Sequence, residues 1–440
     1  MSIFTALFCR ALARRRWPAA ASVVVCLALS ACATTSKSPA SLPHTGQPTS
    51  VVRAPAAGGP DAARFAAFLA SFRTQALARG ISPAVFDRAM AGLTPNAHIF
   101  ALENQQPEFV RPIWSYLDTA VSPLRVAAGR AQLDTHSAML DAIETRYGVP
   151  KQILVAIWGM ETDYGADMGQ YNMFQALATL AFDGRRAAFG QRELLAALRM
   201  AQDEAYAPAT MVSSWAGAFG QTQFMPTTFL AHAVDGNGDG RIDLWHSPAD
   251  ALASTANLLV AYGWRPDEPV LREVQLPDGF SYGEAELSNQ RPTAYWQALG
   301  VRTATGDDLP EGPNAAILLP AGARGPAFLV YPDFKVLLAY NHAIAYALGV
   351  SELAQQIMGG PAILHSWPRD EEPLDRSEAL TLQTDLKTLG YNPGPIDGLI
   401  GPDVREALRA YQRQQGLIPD GFATHQLLLR LEQDVAAKAS

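Results

Sequence analysis

The chain has 440 residues, too many for one compact core, and its 48% hydrophobic content is that of a globular protein able to bury several. Its formal charge of −8 argues against nucleic acid as the main partner. No H-E-x-x-H, C-x-x-C or P-loop pattern occurs, so zinc-protease and nucleotide chemistry lack support. Residues 1–31 carry Arg10, Arg14, Arg15 and Arg16, then an apolar stretch from Ala19 to Leu29, and no acidic residue. That layout predicts a secretory signal, and the apolar stretch is too short for a transmembrane anchor. Removing it takes away four arginines and moves the formal charge from −8 to −12. Cys9, Cys26 and Cys32 all lie at or before the expected cut, so the exported chain has no pair for a disulfide.

Leu29-Ser30-Ala31-Cys32 resembles the lipobox of bacterial lipoproteins, which implies a signal peptide over 1–31 and lipid attachment at Cys32. Ala33 rather than Asp implies sorting to the outer membrane, with the chain lipid-anchored on its periplasmic face. Residues 32–60, rich in Ser, Thr, Pro, Ala and Gly, read as a flexible tether. Helix is predicted from Asp61, where Phe65, Phe68, Leu69 and Phe72 share one face, to Gly80. Mostly helical sequence continues to about residue 270.

Within it, Val149–Gly165 holds the first chemical candidate. Pro150 suits a helix start, Ile153, Leu154, Ile157 and Trp158 form an apolar stripe, and Glu161 continues that stripe one turn on. A carboxyl on a buried face must be paired or must take a raised pKa, as a general acid requires. Periodicity alone favours a structural ion pair, although Asp163, two positions away, is on another face.

Asp235-Gly236-Asn237-Gly238-Asp239-Gly240-Arg241-Ile242-Asp243 fits the first nine positions of an EF-hand loop. Position twelve is His246, a poor calcium ligand, so a solvated Asp/Gly turn is the alternative. Residues 271–333 bring short apolar runs, Ala315–Leu319 and Ala327–Tyr331, around Pro and Gly, which predicts a small β-rich insertion. Helix is expected again over Lys335–Leu348, a linker near His365–Pro373, and then a small helical module with stripes at Leu382, Leu386, Leu389 and at Val404, Leu408, Tyr411.

The segment Trp158-Gly159-Met160-Glu161-Thr162-Asp163-Tyr164-Gly165 is similar to the catalytic-glutamate motif of the B-type lytic murein transglycosylases. Ser214–Pro226, with Gly220-Gln221-Thr222-Gln223-Phe224-Met225-Pro226, resembles that family's second signature. Tyr340-Asn341-His342 with Tyr346, and Gln105–Val121 with Gln106-Pro107-Glu108-Phe109 and Trp114-Ser115-Tyr116, resemble two further parts. The resemblance implies a mainly α fold: a lysozyme-like helical catalytic core with an N-terminal helical part and the β-rich insertion, spanning 61–368. It implies cleavage of the β-1,4 bond between MurNAc and GlcNAc without hydrolysis, leaving 1,6-anhydroMurNAc ends. Glu161 would serve as acid and then base, and Tyr116, Ser214, Gln223, Phe224, Tyr340, Asn341 and Tyr346 would meet substrate. One carboxylate suffices if an internal hydroxyl attacks, whereas ordinary glycosidases need two. No cofactor is required. The family closes its calcium loop with a later Asp, which makes Asp235, Asn237, Asp239, Arg241 and Asp250 the expected set for a structural Ca2+. Where the family often has Tyr after Ala-Asn, Ala256-Asn257 here precede Leu258, so a cleft hydroxyl is expected to be missing.

The C-terminal strings Leu389-Gly390-Tyr391, Ile396–Pro402, Ala410–Leu417 and Asp420-Gly421 closely resemble the peptidoglycan-binding domain type 1, implying a separate three-helix domain at 369–440 that holds the enzyme on its polymer. A muramidase-type hydrolase and a non-catalytic wall-binding lipoprotein are the competing readings.

Overall fold

The computed structural model describes residues 60–104, 112–183, 186–204, 206–372 and 374–439. The signal, tether and lipidation assignments, including Cys32, and the Gln106–Phe109 segment lie outside these. Among the described residues the chain is mainly α, with 17 α-helices and two small antiparallel sheets. No helix of the described residues is long and apolar enough to cross a membrane.

The core is organised around helix Lys151–Thr162, in which Ile153 through Gly159 are all buried. The apolar stripe expected of a one-sided helix is therefore part of a helix enclosed on every side. Pro150 stands just before the first turn as N-cap rather than within it. Helices Ile113–Ala120, Pro123–Thr135, Ser137–Tyr147, Pro248–Ala261 and Ile344–Ile357 surround it. The approach of Ile344–Ile357 is close: a Cβ on Gly349 would come within 2.9 Å of Met160 Cε and 3.4 Å of the Tyr116 ring. A second core joins the N-terminal helices Pro60–Ala78 and Pro83–Met90 to Met173–Asp183 and Ala187–Asp203. The short pair β1 (Tyr171–Asn172) and β2 (Val212–Ser213) leads from it into the Ser214–Pro226 loop.

The insertion is a four-stranded antiparallel sheet of β3 (Leu271–Gln275), β4 (Arg302–Thr303), β5 (Ala316–Leu318) and β6 (Ala327–Val330) in the order β4-β3-β6-β5. The two apolar runs form β5 and β6. Their partner β3, Leu-Arg-Glu-Val-Gln, carries only two large apolar residues and is not visible as a strand from composition. Trp296, fully buried, donates its indole N–H to the Ala315 carbonyl at 2.8 Å and fixes the sheet edge.

The expected single helix over Lys335–Leu348 is two, Pro332–Tyr340 and Ile344–Ile357. Asn341 breaks it by adopting extended backbone while its side-chain oxygen accepts the Ala343 N–H at 3.2 Å, the local competition that makes Asn a helix terminator. The linker expected near His365–Pro373 is a strap. Glu273 of β3 accepts the N–H groups of Leu364 (2.7 Å) and His365 (2.8 Å), Arg369 pairs with Asp118 at 2.7 Å, and Trp367 packs against Trp114.

Beyond it, helices Arg376–Leu389, Pro402–Gln414 and His425–Ala439 form the C-terminal module around Leu382, Leu386, Leu408 and Leu431. A capping box of Asp375 and Glu378 starts the first helix, and Gly390 in the left-handed region ends it. The module docks on the insertion. Glu286 receives Arg405 at 2.7 Å and Arg409 at 3.0 Å, and Asp420 accepts the Ala323 N–H at 2.8 Å.

Candidate active site

Glu161 occupies the last turn of Lys151–Thr162, and the chain leaves the helix at once because Asp163 and Tyr164 both take left-handed backbone. The turn is held by Thr162: its hydroxyl donates to the Gln221 carbonyl at 2.6 Å and accepts the Gly165 N–H at 2.9 Å. That one side chain ties the glutamate motif to the Ser214–Pro226 loop. Tyr164 folds back over Gly159, where a Cβ would lie 2.6 Å from its ring, and donates its hydroxyl to the Arg125 carbonyl at 2.7 Å.

The Glu161 side chain is half-buried, and no ion pair among the described residues involves it, so the structural ion pair favoured by periodicity is absent. Its Oε1 accepts the Tyr346 hydroxyl at 2.6 Å. Desolvation pushes its pKa up to about 7, the Tyr346 hydrogen bond holds it down somewhat, and no neighbouring charge adds to the shift. Asp163 turns away to Arg125, 3.3 Å distant, and is largely exposed.

Tyr346 is buried, and its ring stacks on Tyr340 with centroids 6.2 Å apart and planes 7° from parallel. Tyr340 donates to the Thr222 carbonyl at 2.5 Å. Burial first, then the Glu161 charge, pushes both phenols well up, so neither ionises at neutral pH. Tyr116 packs at the same helix, its ring 3.4 Å from where a Cβ on Gly349 would sit, and adds to the rise at Tyr346, so three of the expected tyrosines gather here. The helix break at Asn341 makes this possible, because six positions along an unbroken helix would put Tyr340 and Tyr346 on different faces.

The remaining expected residues divide. The Ser214 hydroxyl accepts the Ala218 N–H at 3.2 Å and shapes a tight loop. Gln223, at φ 51°, donates to the Gly220 carbonyl at 3.0 Å and remains half-buried. The Phe224 ring is 2% exposed and packs with the core that holds Phe219 and Phe229, which supports the loop. The Asn341 side chain is exposed, and its oxygen accepts the Ala343 N–H at the helix break. Leu258 is buried in the same core as Phe224, so the position where the family often has Tyr is apolar packing here. Sequence reasoning passed over Thr162 and Gln221. Each is an ordinary polar residue whose role exists only because two distant segments meet.

The acidic loop offers oxygen donors alone, the set that suits a hard cation such as calcium. Asp235 accepts the N–H groups of Gly238 (2.6 Å) and Gly240 (2.8 Å), while Asn237 and Asp239 accept those of Asp239 and Arg241. Buried Asp250 closes the loop, accepting Gly236 N–H at 2.9 Å through one oxygen and Asp243 N–H at 2.8 Å through the other. His246 takes no part in closure and pairs with Asp243 at 2.9 Å. The donor chemistry fits calcium. Among the described residues, however, no three His, Cys, Asp or Glu side chains are gathered around one point.

A helical core that presents one desolvated carboxyl, unassisted by a second, beneath stacked tyrosines defines a lysozyme-like transglycosylase fold. The chain belongs to the family described as the transglycosylase SLT domain, whose model matches residues 64–355, and a putative peptidoglycan binding domain matches 375–431. Lytic transglycosylase activity on peptidoglycan goes with that membership. The chain is 35% identical over 251 residues to membrane-bound lytic murein transglycosylase B of Escherichia coli K12, covering 55% of this chain and 66% of that protein. Its fold matches SltB3 of Pseudomonas aeruginosa, solved with NAG-anhNAM-pentapeptide, at a TM-score of 0.82 and 48% identity over 84% of this chain and 99% of that one. Escherichia coli Slt35, solved in complex with calcium, matches at a TM-score of 0.58 and 29% identity over 69% and 94%.

Proposed function

We propose that Glu161 cleaves the β-1,4 bond between MurNAc and GlcNAc by transfer to the sugar's own 6-hydroxyl. The supporting observation is a single carboxyl with a pKa of about 7 whose shift owes nothing to a second carboxylate. Protonated, it donates to the glycosidic oxygen, and the C1–O bond breaks as GlcNAc leaves. Now a carboxylate, it takes the proton of the MurNAc C6 hydroxyl, whose oxygen bonds to C1 and closes the 1,6-anhydro ring. No water is consumed, and a pKa near working pH serves both halves. Tyr346 orients the carboxyl, and Tyr116, Tyr340, Ser214 and Gln223 line the approach. The muramidase alternative needs a second carboxylate to activate water. Digesting purified glycan strands and weighing the products tests this: ends lighter by one water are expected, and fully hydrated ends would overturn the transfer step.

The domain reading follows: signal peptide over 1–31, tether over 32–60, catalytic domain over 61–368 with the insertion over 271–333, and wall-binding domain over 369–440. The lipobox at Leu29–Cys32 supports a periplasmic enzyme anchored to the outer membrane by lipid on Cys32, and the membrane-bound Escherichia coli relative is in keeping with it. Metabolic labelling with a fatty-acid probe should tag the parent and not Cys32→Ala. Calcium is assigned to the Asp235–Asp250 loop on its oxygen donors and on the calcium complex of Slt35. Its role is structural, with Asp235, Asn237, Asp239, the Arg241 carbonyl and Asp250 as ligands. Adding calcium to chelator-treated protein should raise Tm by several degrees, and Asp250→Ala should abolish that response; equal Tm values with and without calcium in the parent would remove the assignment.

A further inference from the structure

Three cavities, of about 310, 340 and 840 Å3, cluster where the C-terminal module meets the β-sheet insertion, and Glu161 lines none of them. The largest is a groove with one wall from the catalytic part and one from the module. Gln275, Asp278, Tyr282 and His365 stand on the first wall, and Ile418 and Pro419 on the second. This volume is within the range of small-ligand sites, and its lining mixes an aromatic face, a carboxylate, an amide and an imidazole with apolar carbon. Sugar rings ask for that mixture, since they present apolar faces rimmed by hydroxyls.

Both walls are fixed. Tyr282 sits edge-on to buried Phe280, centroids 5.7 Å apart, and no hydrogen bond among the described residues uses its hydroxyl. His365 is held by Glu273 at 2.7 Å through Nδ1, which leaves Nε2 for a ligand. On the module side, Leu417 N–H is bound by the Gln412 carbonyl at 2.9 Å, and Ile418 is 55% exposed. Asp420, next after Pro419, is the residue that accepts Ala323 N–H, and Gln412 also donates to it at 2.8 Å. The docking contact therefore adjoins the lip of the groove. The Glu286 pairs with Arg405 and with Arg409, itself 5% exposed on its side chain, hold the module from the other side.

We propose that this groove is a second glycan-binding site, composite between insertion and module, so that wall binding belongs to the docked pair and not to the module alone. The proposal rests on the peptidoglycan reading above but not on the transfer chemistry. The test uses the full chain carrying Glu161→Gln, so that strands survive, and measures co-sedimentation with purified sacculi. Tyr282→Ala on one wall and Ile418→Asp on the other should each weaken binding roughly 3- to 10-fold, the worth of one aromatic or apolar contact. In the Glu161 parent, the same changes should leave kcat/KM on a short soluble glycan unaltered. Should Tyr282→Ala fail to fold, exposed Asp278→Ala reads the same wall. Sedimentation within twofold of the parent for both walls overturns the site, and so does loss confined to Ile418→Asp, which would return binding to the module alone. An equal loss on the short substrate would make the groove part of the catalytic cleft. If the parent yields hydrated products while the variants still lose binding, the transfer reading fails and this one stands.

Discussion

Glu161→Gln is expected to abolish strand cleavage, by roughly 1,000-fold or more, while sacculus binding stays at the parent level. Glutamine keeps an oxygen for the Tyr346 hydroxyl, so the site geometry survives and only the transferable proton is lost. The same variant should be no less stable than the parent at pH 8, because it removes a carboxyl that folding prefers protonated. Loss of activity with retained stability separates a chemical role from a structural one. Appreciable residual cleavage would remove Glu161 from the acid's position.

Stability itself is expected to rise as pH falls from 8 toward 5, against the usual behaviour of proteins whose carboxylates are salt-bridged. Two buried carboxyls outside the site drive this. Asp333 is fully buried; one oxygen accepts the Arg265 N–H at 3.0 Å and the other has no partner. Burial above all, and then Glu268, pushes its pKa up to about 7. Glu352, 3% exposed, reaches about 7 through burial, with Glu273 adding to the effect and Gln356 opposing it. Because the folded pKa exceeds the unfolded one, folding favours the proton. The contribution is full below about 4 and is lost progressively as pH rises to about 7. At about 1.4 kcal/mol per pKa unit, each group costs on the order of 3 kcal/mol above pH 7. Asp333→Asn and Glu352→Gln should therefore raise the denaturation midpoint by several degrees at pH 8 and leave it unchanged near pH 4. A double variant with the parent's pH slope would show that neither carboxyl is responsible.

The sequence makes some of this architecture legible and hides the rest for identifiable reasons. Helix stripes, the apolar runs of β5 and β6, and the first two helices of the module follow from local periodicity and punctuation, which need no knowledge of the fold. The glutamate motif and the Gln-Thr-Gln-Phe-Met-Pro loop mark the site because two short strings carry it. What periodicity cannot supply is the partner. Tyr346 lies 185 residues from Glu161 and meets it only because the Asn341 break turns it onto that carboxyl, and Thr162 is one threonine among many until Gln221 arrives. Phe224 shows the converse: the motif string marks it, but only the fold shows that its ring packs with Phe219 and Phe229. Asp333 and Glu352 carry no local signal at all, because burial of a single acid is decided by everything packed around it.

The abrupt end of helix Lys151–Thr162 has one more consequence. Peptide dipoles along a helix add up to roughly half a negative charge at its C-terminal end. Glu161 is the penultimate residue there, and left-handed Asp163 prevents any further turn from moving that pole away. The backbone thus opposes ionisation of the acid from below while Tyr346 favours it from the side. A helix running in the reverse direction would place its positive pole under the same carboxyl and draw the proton off. Chain direction, as much as side-chain chemistry, lets one glutamate keep its proton without a second carboxylate beside it.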